Sequence, residues 1–254
     1  MTSAMRPLFA HWKEVAPLLS AHRTIALFLD FDGTLVPIGP RPNLVQVHPD
    51  TRTSLAILAH NPRFRVWVIS ARRRADIRAR LRVPAVRCLG LYGWERASKT
   101  PPPARSISRV KACLEQILPP HPSVWIEDKQ HTIAVHYRGA PEAIRLEVAD
   151  CVRRAVLPWR AHLRVAPGKC VWEILPVSFA DKGSAILREL AGLRGDALPV
   201  YVGDDLSDEQ AFAVLPRAGV GIRVGARHAT RARYSLRGSA EVRRFLERLR
   251  TEFP

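Results

Sequence analysis

The sequence predicts an α/β fold in which both ends of the chain build one parallel sheet and a separate α+β unit is inserted between them. Three observations carry this expectation. Apolar runs at Ile25–Leu29, Phe64–Ile69 and Val200–Val202 each stop at polar or small residues and alternate with helical segments, as right-handed βαβ units do. That alternation ceases after about residue 97 and resumes at about residue 177, which gives core segments at 1–97 and 177–254 and an insert at 98–176. The three consecutive prolines Pro101, Pro102 and Pro103 mark the break.

Taken in order, residues 1–22 read as a helix or arm leading to the first strand. Ile25-Ala26-Leu27-Phe28-Leu29 is continuously apolar, which suits a strand buried on both faces, and it halts at Asp30-Phe31-Asp32-Gly33-Thr34. A Pro/Gly-rich loop from Pro37 to Pro49 precedes a helix over Thr51 to His60, where Leu55, Leu58 and Ala59 have helical spacing. Phe64 to Ile69 is a second strand, ending at Ser70, and Ala71 to Leu81 a very basic helix. Cys88 to Gly93 reads as a short strand and turn.

The insert carries a helix (Ile107 to Leu118), two strands (Val124 to Glu127, Thr132 to Arg138), a second helix (Pro141 to Val156) and a strand at Val171 to Leu175. The first rhythm returns with a helix from Asp181 to Leu193. Strand Val200–Val202 runs into Gly203-Asp204-Asp205 and a helix from Asp208 to Leu215 follows. Strand Val220 to Val224 and helix Ala240 to Leu249 close the chain. Ser207 to Gln210 fits a capping box, with Leu206 and Ala211 placed for a hydrophobic staple.

Composition excludes several classes. With 47% hydrophobic and 25% charged residues the chain of 254 resembles an ordinary globular protein. No apolar run approaches the roughly 18 residues a membrane span needs, and residues 1–20 lack the apolar centre of a signal peptide. A cytoplasmic setting is expected. Cys88, Cys113, Cys151 and Cys170 are dispersed, as buried thiols rather than a disulfide framework or a zinc knuckle would be. The formal charge of +17 raises the question of a polyanionic partner, yet the surplus is arginine spread along the whole chain, without the aromatic interleaving of a stacking platform. Nucleic acid is therefore not the expected partner.

Ligands of open α/β sheets sit beyond the carboxyl ends of the strands. Asp30 and Asp32 end one strand, Asp204 and Asp205 another, and four carboxylates at one sheet edge repel each other unless a cation joins them. Hard oxygen donors with room for water suit Mg²⁺. Lys182, in the first turn of its helix, opposes the helix dipole, a cost that a bound anion would offset. Ser70, between a strand and a helix, offers its hydroxyl and the following amides to an anion. Gly33 lets the main chain approach closely. Asp208 and Glu209 have a plain explanation as first-turn acids, Asp208 with room for a further role. Together these parts compose a phosphoryl-transfer site.

The order Asp-x-Asp-Gly-Thr, then Ser70, then Lys182, then Gly-Asp-Asp-x-x-Asp resembles the haloacid dehalogenase superfamily, with Ala71 where its members more often carry Gly. That resemblance implies a Rossmann-like haloacid dehalogenase core with an inserted α+β cap domain. It implies Asp30 as nucleophile, Asp32 as acid and base, and Mg²⁺ held by Asp30, the Asp32 main-chain carbonyl and Asp204. Ser70 and Lys182 would bind phosphoryl oxygens, with Gly33, Thr34, Asp205 and Asp208 in support.

The insert sharpens the resemblance. Glu127-Asp128-Lys129, His136-Tyr137-Arg138 and Gly168-Lys169-Cys170-Val171-Trp172-Glu173 are similar to cap signatures of trehalose-6-phosphate phosphatases, as are Gly90 to Glu95 and the segment from Gly203 to Glu209, where the family commonly has Thr for Ser207. On periodicity alone, Ile133, Val135, Tyr137, Cys170, Trp172 and Ile174 form the buried side of a sheet whose other face of acids and bases is either solvated or suited to sugar hydroxyls. The resemblance implies that Glu127, Lys129, Arg138, Lys169 and Glu173 bind glucose hydroxyls when the cap closes. Its implied substrate is a small sugar phosphate, trehalose 6-phosphate, with Mg²⁺ as cofactor and no membrane partner, and it leaves open coupling to a trehalose-6-phosphate synthase. The alternatives are a sibling phosphatase for sucrose phosphate or mannosylglycerate phosphate, and a basic nucleic-acid-binding protein on an inactive phosphatase fold.

Overall fold

The structure, a computed structural model, describes residues 6–39, 44–95, 104–179, 181–193, 195–225 and 229–254. The chain divides into two compact units, one formed by Met1–Arg96 with Ala180–Pro254 and the other by Ala97–Phe179. The proline run Pro101–Pro103 lies outside the described residues.

In chain order the first segment holds β1 (Arg6–Pro7), α1 (Trp12–Ala21), β2 (Thr24–Leu29), α2 (Pro49–His60), β3 (Phe64–Ile69), α3 (Arg74–Leu81) and β4 (Arg87–Leu89). The second unit holds α4 (Arg105–Ile117), β5 (Trp125–Asp128), β6 (Ile133–His136), α5 (Glu142–Val156), β7 (Leu163–Gly168) and β8 (Val171–Pro176). The returning segment holds α6 (Lys182–Ala191), β9 (Ala197–Gly203), α7 (Asp208–Val214), β10 (Val220–Val224), β11 (Tyr234–Leu236) and α8 (Ser239–Glu252).

The first unit is a parallel sheet of order β1-β11-β10-β9-β2-β3-β4. β2 lies between β3 and β9, with Leu29 opposite both Val68 and Val202. The continuous apolar run of β2 is explained by its two faces. Ile25, Leu27 and Leu29 join one core with residues of α1, α2 and α8, whereas Ala26 and Phe28 join a second with Ile186 of α6 and Phe212 of α7. Phe28 stacks on Trp67 at 4.6 Å between centroids. Because β2 and β9 are neighbours in register, residues far apart in sequence finish side by side at the carboxyl edge, and Asp30 N donates to Val202 O at 2.9 Å.

The second unit is an antiparallel sheet of order β5-β6-β8-β7. Ile133, Val135, Ile174 and Leu163 pack with Val110 and Leu114 of α4 and Val148 and Val152 of α5. Tyr137 and Trp172 are only partly buried against this core, and Cys170 is half-buried with φ 63° in the turn before β8.

Three expectations are corrected. β1, β7 and β11 were not anticipated: two or three residues are too few to show a period, and Pro167 argues against a strand unless, as here, it lies on the edge strand β7. The basic helix begins at Arg74 instead of Ala71, because residues 71–72 form a bend and Arg73 is extended (φ −64°, ψ 144°). The capping box does not form, since Ser207 is itself helical (φ −62°, ψ −22°) and makes no side-chain cap, and Leu206 is 55% exposed. Among the described residues no helix is long and apolar enough to cross a membrane.

Candidate active site

At the carboxyl ends of β2 and β9 the side chains of Asp30, Asp204 and Asp208 converge, each buried, with one oxygen apiece lying within 4.8 Å of the others. The third member is thus Asp208, not the side chain of Asp32 or Asp205. Lys182, 2% exposed at the start of α6, donates from Nζ to Asp30 Oδ1 at 2.7 Å and to Asp208 Oδ1 at 2.6 Å. Its place in the first helical turn therefore needs no external anion: two of the chain's own carboxylates offset the dipole. Asp208 Oδ1 also accepts from Tyr201 OH at 2.5 Å and Oδ2 from Asp205 N at 2.7 Å. With both its oxygens engaged by the protein, Asp208 acts as the anchor of Lys182.

These contacts set the electrostatics. Burial, with Asp208 and Asp204 adding to it, pushes the Asp30 carboxyl well above the usual range despite the opposing pull of Lys182. Burial works against the charge of Lys182, but Asp208 and then Asp30 outweigh it and hold the ammonium well above its ordinary value. The Tyr201 hydroxyl is pushed up by burial and then by Asp208.

A divalent cation fits this donor set. Asp30 and Asp204 are hard oxygen donors, and a cation between them would reverse the push on Asp30. Gly33 leaves the space: it has φ +82°, and a Cβ there would lie 2.1 Å from Asp204 Oδ2. Thr34 is fully buried, and its hydroxyl has no hydrogen-bond partner among the described residues.

Two site residues are placed differently from expectation. The Asp32 carboxylate faces Arg72, whose Nε and Nη2 donate to its two oxygens at 2.6 and 2.7 Å. Ser70, 2% exposed, ends β3 as expected but precedes a bend, and its Oγ accepts from Arg72 N at 3.2 Å. The N-terminus of α3 is instead capped by Glu95, which accepts from Arg74 N at 2.6 Å. Sequence reasoning missed Tyr201 and Arg72. A tyrosine within an apolar strand, two residues before Gly203, was the available signal for the first; an arginine two residues beyond Ser70 was the signal for the second.

In the second unit Lys129 Nζ donates to Glu173 Oε1 at 2.7 Å and lies 3.9 Å from Glu127, which hydrogen-bonds His136 Nε2 at 2.9 Å. Burial raises the Glu173 carboxyl, against the pull of Lys129. His136 stacks on Trp125 at 3.9 Å and 9°. Lys169 lies outside the strand that carries Glu173, in the exposed turn before β8, where its carbonyl accepts from Arg138 Nη2 at 2.9 Å. Glu127, Lys129 and Glu173 therefore cluster, and Arg138 and Lys169 meet separately.

The family model described as Trehalose-phosphatase matches residues 28–240. The chain is 37% identical over 246 residues to "Trehalose-phosphate phosphatase" of Mycobacterium tuberculosis, covering 89% of this chain and 61% of that one. It is 30% identical over 251 residues to "Trehalose-phosphate phosphatase B" of Arabidopsis thaliana, covering 89% and 66%. The chain thus spans about three fifths of the length of the mycobacterial relative. Among solved structures, the C-terminal domain of a Candida albicans trehalose-6-phosphate phosphatase superposes with a TM-score of 0.84 at 21% identity, covering 99% of each chain, a likeness of fold. The chain belongs to the trehalose-phosphatase family.

Proposed function

We propose that this chain is a Mg²⁺-dependent phosphatase that hydrolyses trehalose 6-phosphate to trehalose and phosphate. The observation that carries the reading is the buried Asp30 carboxylate at the end of β2, fixed by Lys182 at 2.7 Å and grouped with Asp204. A carboxylate so placed, with one oxygen engaged, is oriented for attack on phosphorus. Asp30 forms the aspartyl phosphate as the bond to the sugar oxygen breaks. Asp32 protonates that oxygen, and then takes a proton from the water that releases phosphate. Lys182 and Ser70 bind phosphoryl oxygens, and Asp208 with Tyr201 keeps Lys182 in position. Gly33 keeps the Asp204 carboxylate unobstructed, Thr34 offers a buried hydroxyl, and Asp205 anchors Asp208 through its amide.

Asp30, the Asp32 main-chain carbonyl and Asp204 would hold the Mg²⁺, which when bound neutralises charge on the transferring phosphoryl group. Sugar hydroxyls are bound by Glu127, Lys129 and Glu173, whose charged donors and acceptors already form one network, and by Arg138 and Lys169. A cytoplasmic reaction supplied by a trehalose-6-phosphate synthase completes the reading.

Phosphate release from trehalose 6-phosphate with and without Mg²⁺, and by the Asp30→Asn variant, tests it. Release is expected only from the wild type with metal. Wild-type turnover in Asp30→Asn would sink the nucleophile, and a higher kcat/KM for sucrose or mannosylglycerate phosphate would move the substrate to a sibling sugar.

A further inference from the structure

The geometry around Asp32 assigns a task to Arg72, which has no part in the reaction as set out above. The Arg72 guanidinium is buried, and its two bonds to Asp32 form a fork, an arrangement that fixes a carboxylate's orientation as well as its position. Its remaining edge is held independently. Nη1 donates to Asp76 Oδ2 at 2.6 Å, and Asp76 Oδ1 accepts from Arg80 Nε at 2.8 Å. Arg80 Nη1 in turn donates to Val45 O at 3.0 Å. The Phe31 ring lies 5.3 Å from the guanidinium carbon, and the Arg72 carbonyl accepts from Leu91 N at 2.8 Å.

Arg72 would therefore stay in place without Asp32, while the converse does not hold. The Asp32 side chain is 40% exposed against 7% for Arg72, and it follows the strand on a turn. Among the described residues Arg72 is the one side chain that hydrogen-bonds it. Freed from the fork, it would exchange rotamers and meet water, and a proton donor acts only within hydrogen-bond reach and alignment of its acceptor.

We propose that Arg72 is a positioning residue: anchored by Asp76, it fixes the Asp32 carboxyl in the orientation from which it serves the leaving oxygen. This rests on the assignment of Asp32 as acid and base.

Arg72→Lys keeps the charge but cannot form the fork. The expected result is a kcat for trehalose 6-phosphate lower by about tenfold, KM within about twofold, and the first-turnover burst of p-nitrophenolate from p-nitrophenyl phosphate slowed by less than about twofold, because the phenolate departs without a proton and before Asp32 acts as base. Asp76→Asn, which loosens the anchor at a partly exposed position, is expected to act in the same selective sense at about threefold, and it carries the test if Arg72→Lys does not fold. In an Asp32→Asn background Arg72→Lys is expected to have no further effect on residual trehalose 6-phosphate turnover. A p-nitrophenolate burst slowed as much as trehalose 6-phosphate turnover, a multiplicative loss in the double variant, or an undiminished kcat overturns the proposal. If Asp32→Asn alone slows the first-turnover burst of p-nitrophenolate as much as trehalose 6-phosphate turnover, the acid and base assignment fails, and the role of Arg72 falls with it.

Discussion

Substituting Gly33 by alanine probes the reason the first strand ends in glycine. A Cβ built there lies 2.1, 2.3 and 2.6 Å from Asp204 Oδ2, Cγ and Oδ1, and the residue has φ +82°. Heavy atoms do not approach a Cβ within 3.0 Å, so the Asp204 carboxylate must retreat by about 0.9 Å. Mg²⁺ demands oxygen at about 2.0–2.1 Å in near-octahedral geometry, and a displacement of that size removes the ligand. Disturbing a ligand's support typically costs about 10–100-fold in metal affinity, so the Mg²⁺ concentration for half-maximal phosphate release is expected to rise by at least about tenfold. The left-handed backbone adds about 1–2 kcal/mol of strain for alanine. That corresponds to a fall in melting temperature of about 2–8 °C. Metal titration of activity and a thermal melt of the metal-free protein separate the two effects. Unchanged half-saturation in Gly33→Ala would refute the assignment of Asp204 to the metal, whatever the melt showed.

Three further outcomes follow from the geometry of buried groups. Lys182→Met leaves Asp30 and Asp208 buried without their cation, and is expected to abolish phosphate release and to cost about 3–5 kcal/mol in denaturant unfolding. The sign of its pH dependence is fixed by the raised pKa: the stabilisation is complete below the ordinary lysine value of 10.5 and is lost only as pH climbs through the higher folded value, so the wild-type margin over Lys182→Met is expected to hold from pH 7 to 10. Lys129→Met removes the partner of the buried Glu173, and is expected to lower kcat/KM for trehalose 6-phosphate by about 10–100-fold while sparing p-nitrophenyl phosphate; equal losses on both would deny it a sugar contact. Cys88, its thiol pushed up to about 11 by burial, is expected to resist iodoacetamide at pH 8, where about one thiol in a thousand is ionised, while the half-buried Cys113 and Cys170 react first.

The parallel sheet was legible because β2, β3 and β9 are buried on both faces and so read as unbroken apolar runs. Asp30, Lys182 and Asp204 were legible because a charge at the end of such a run is conspicuous. What local pattern could not supply was pairing between side chains. Asp208 read as a first-turn acid, and only β9 lying beside β2 shows it engaged by Lys182 and Tyr201. Asp32 read as one of four converging carboxylates, yet an arginine in the bend after β3 takes it, a contact across 40 residues. The false helix start at Ala71 has the same origin. Residues 71–73 look helical by composition, but Glu95, brought close by β4, caps the helix at Arg74.

The net charge of +17 poses the remaining question, since a surplus of that size would ordinarily advertise a polyanionic partner. The arginines instead do conspicuous internal work. Arg63 donates to the carbonyls of Leu19, Ser20 and His22 and lies over Phe253; Arg188 donates to Gly93 O, and Arg52 to Arg80 O. Arg87, Arg244 and Arg248 cover the rings of Trp67, Phe9 and Trp12. Guanidinium suits such places because it carries five donors on a flat, weakly hydrated group, where an ammonium offers a strongly hydrated point charge. Lysine, present at six positions, instead forms the buried ion pairs at Lys182 and Lys129. On this division of labour, raising the salt concentration screens the scattered surface charge while leaving the two buried lysine pairs largely unscreened. Turnover of a small sugar phosphate should then depend only weakly on ionic strength, in contrast to the steep dependence of a nucleic-acid binder.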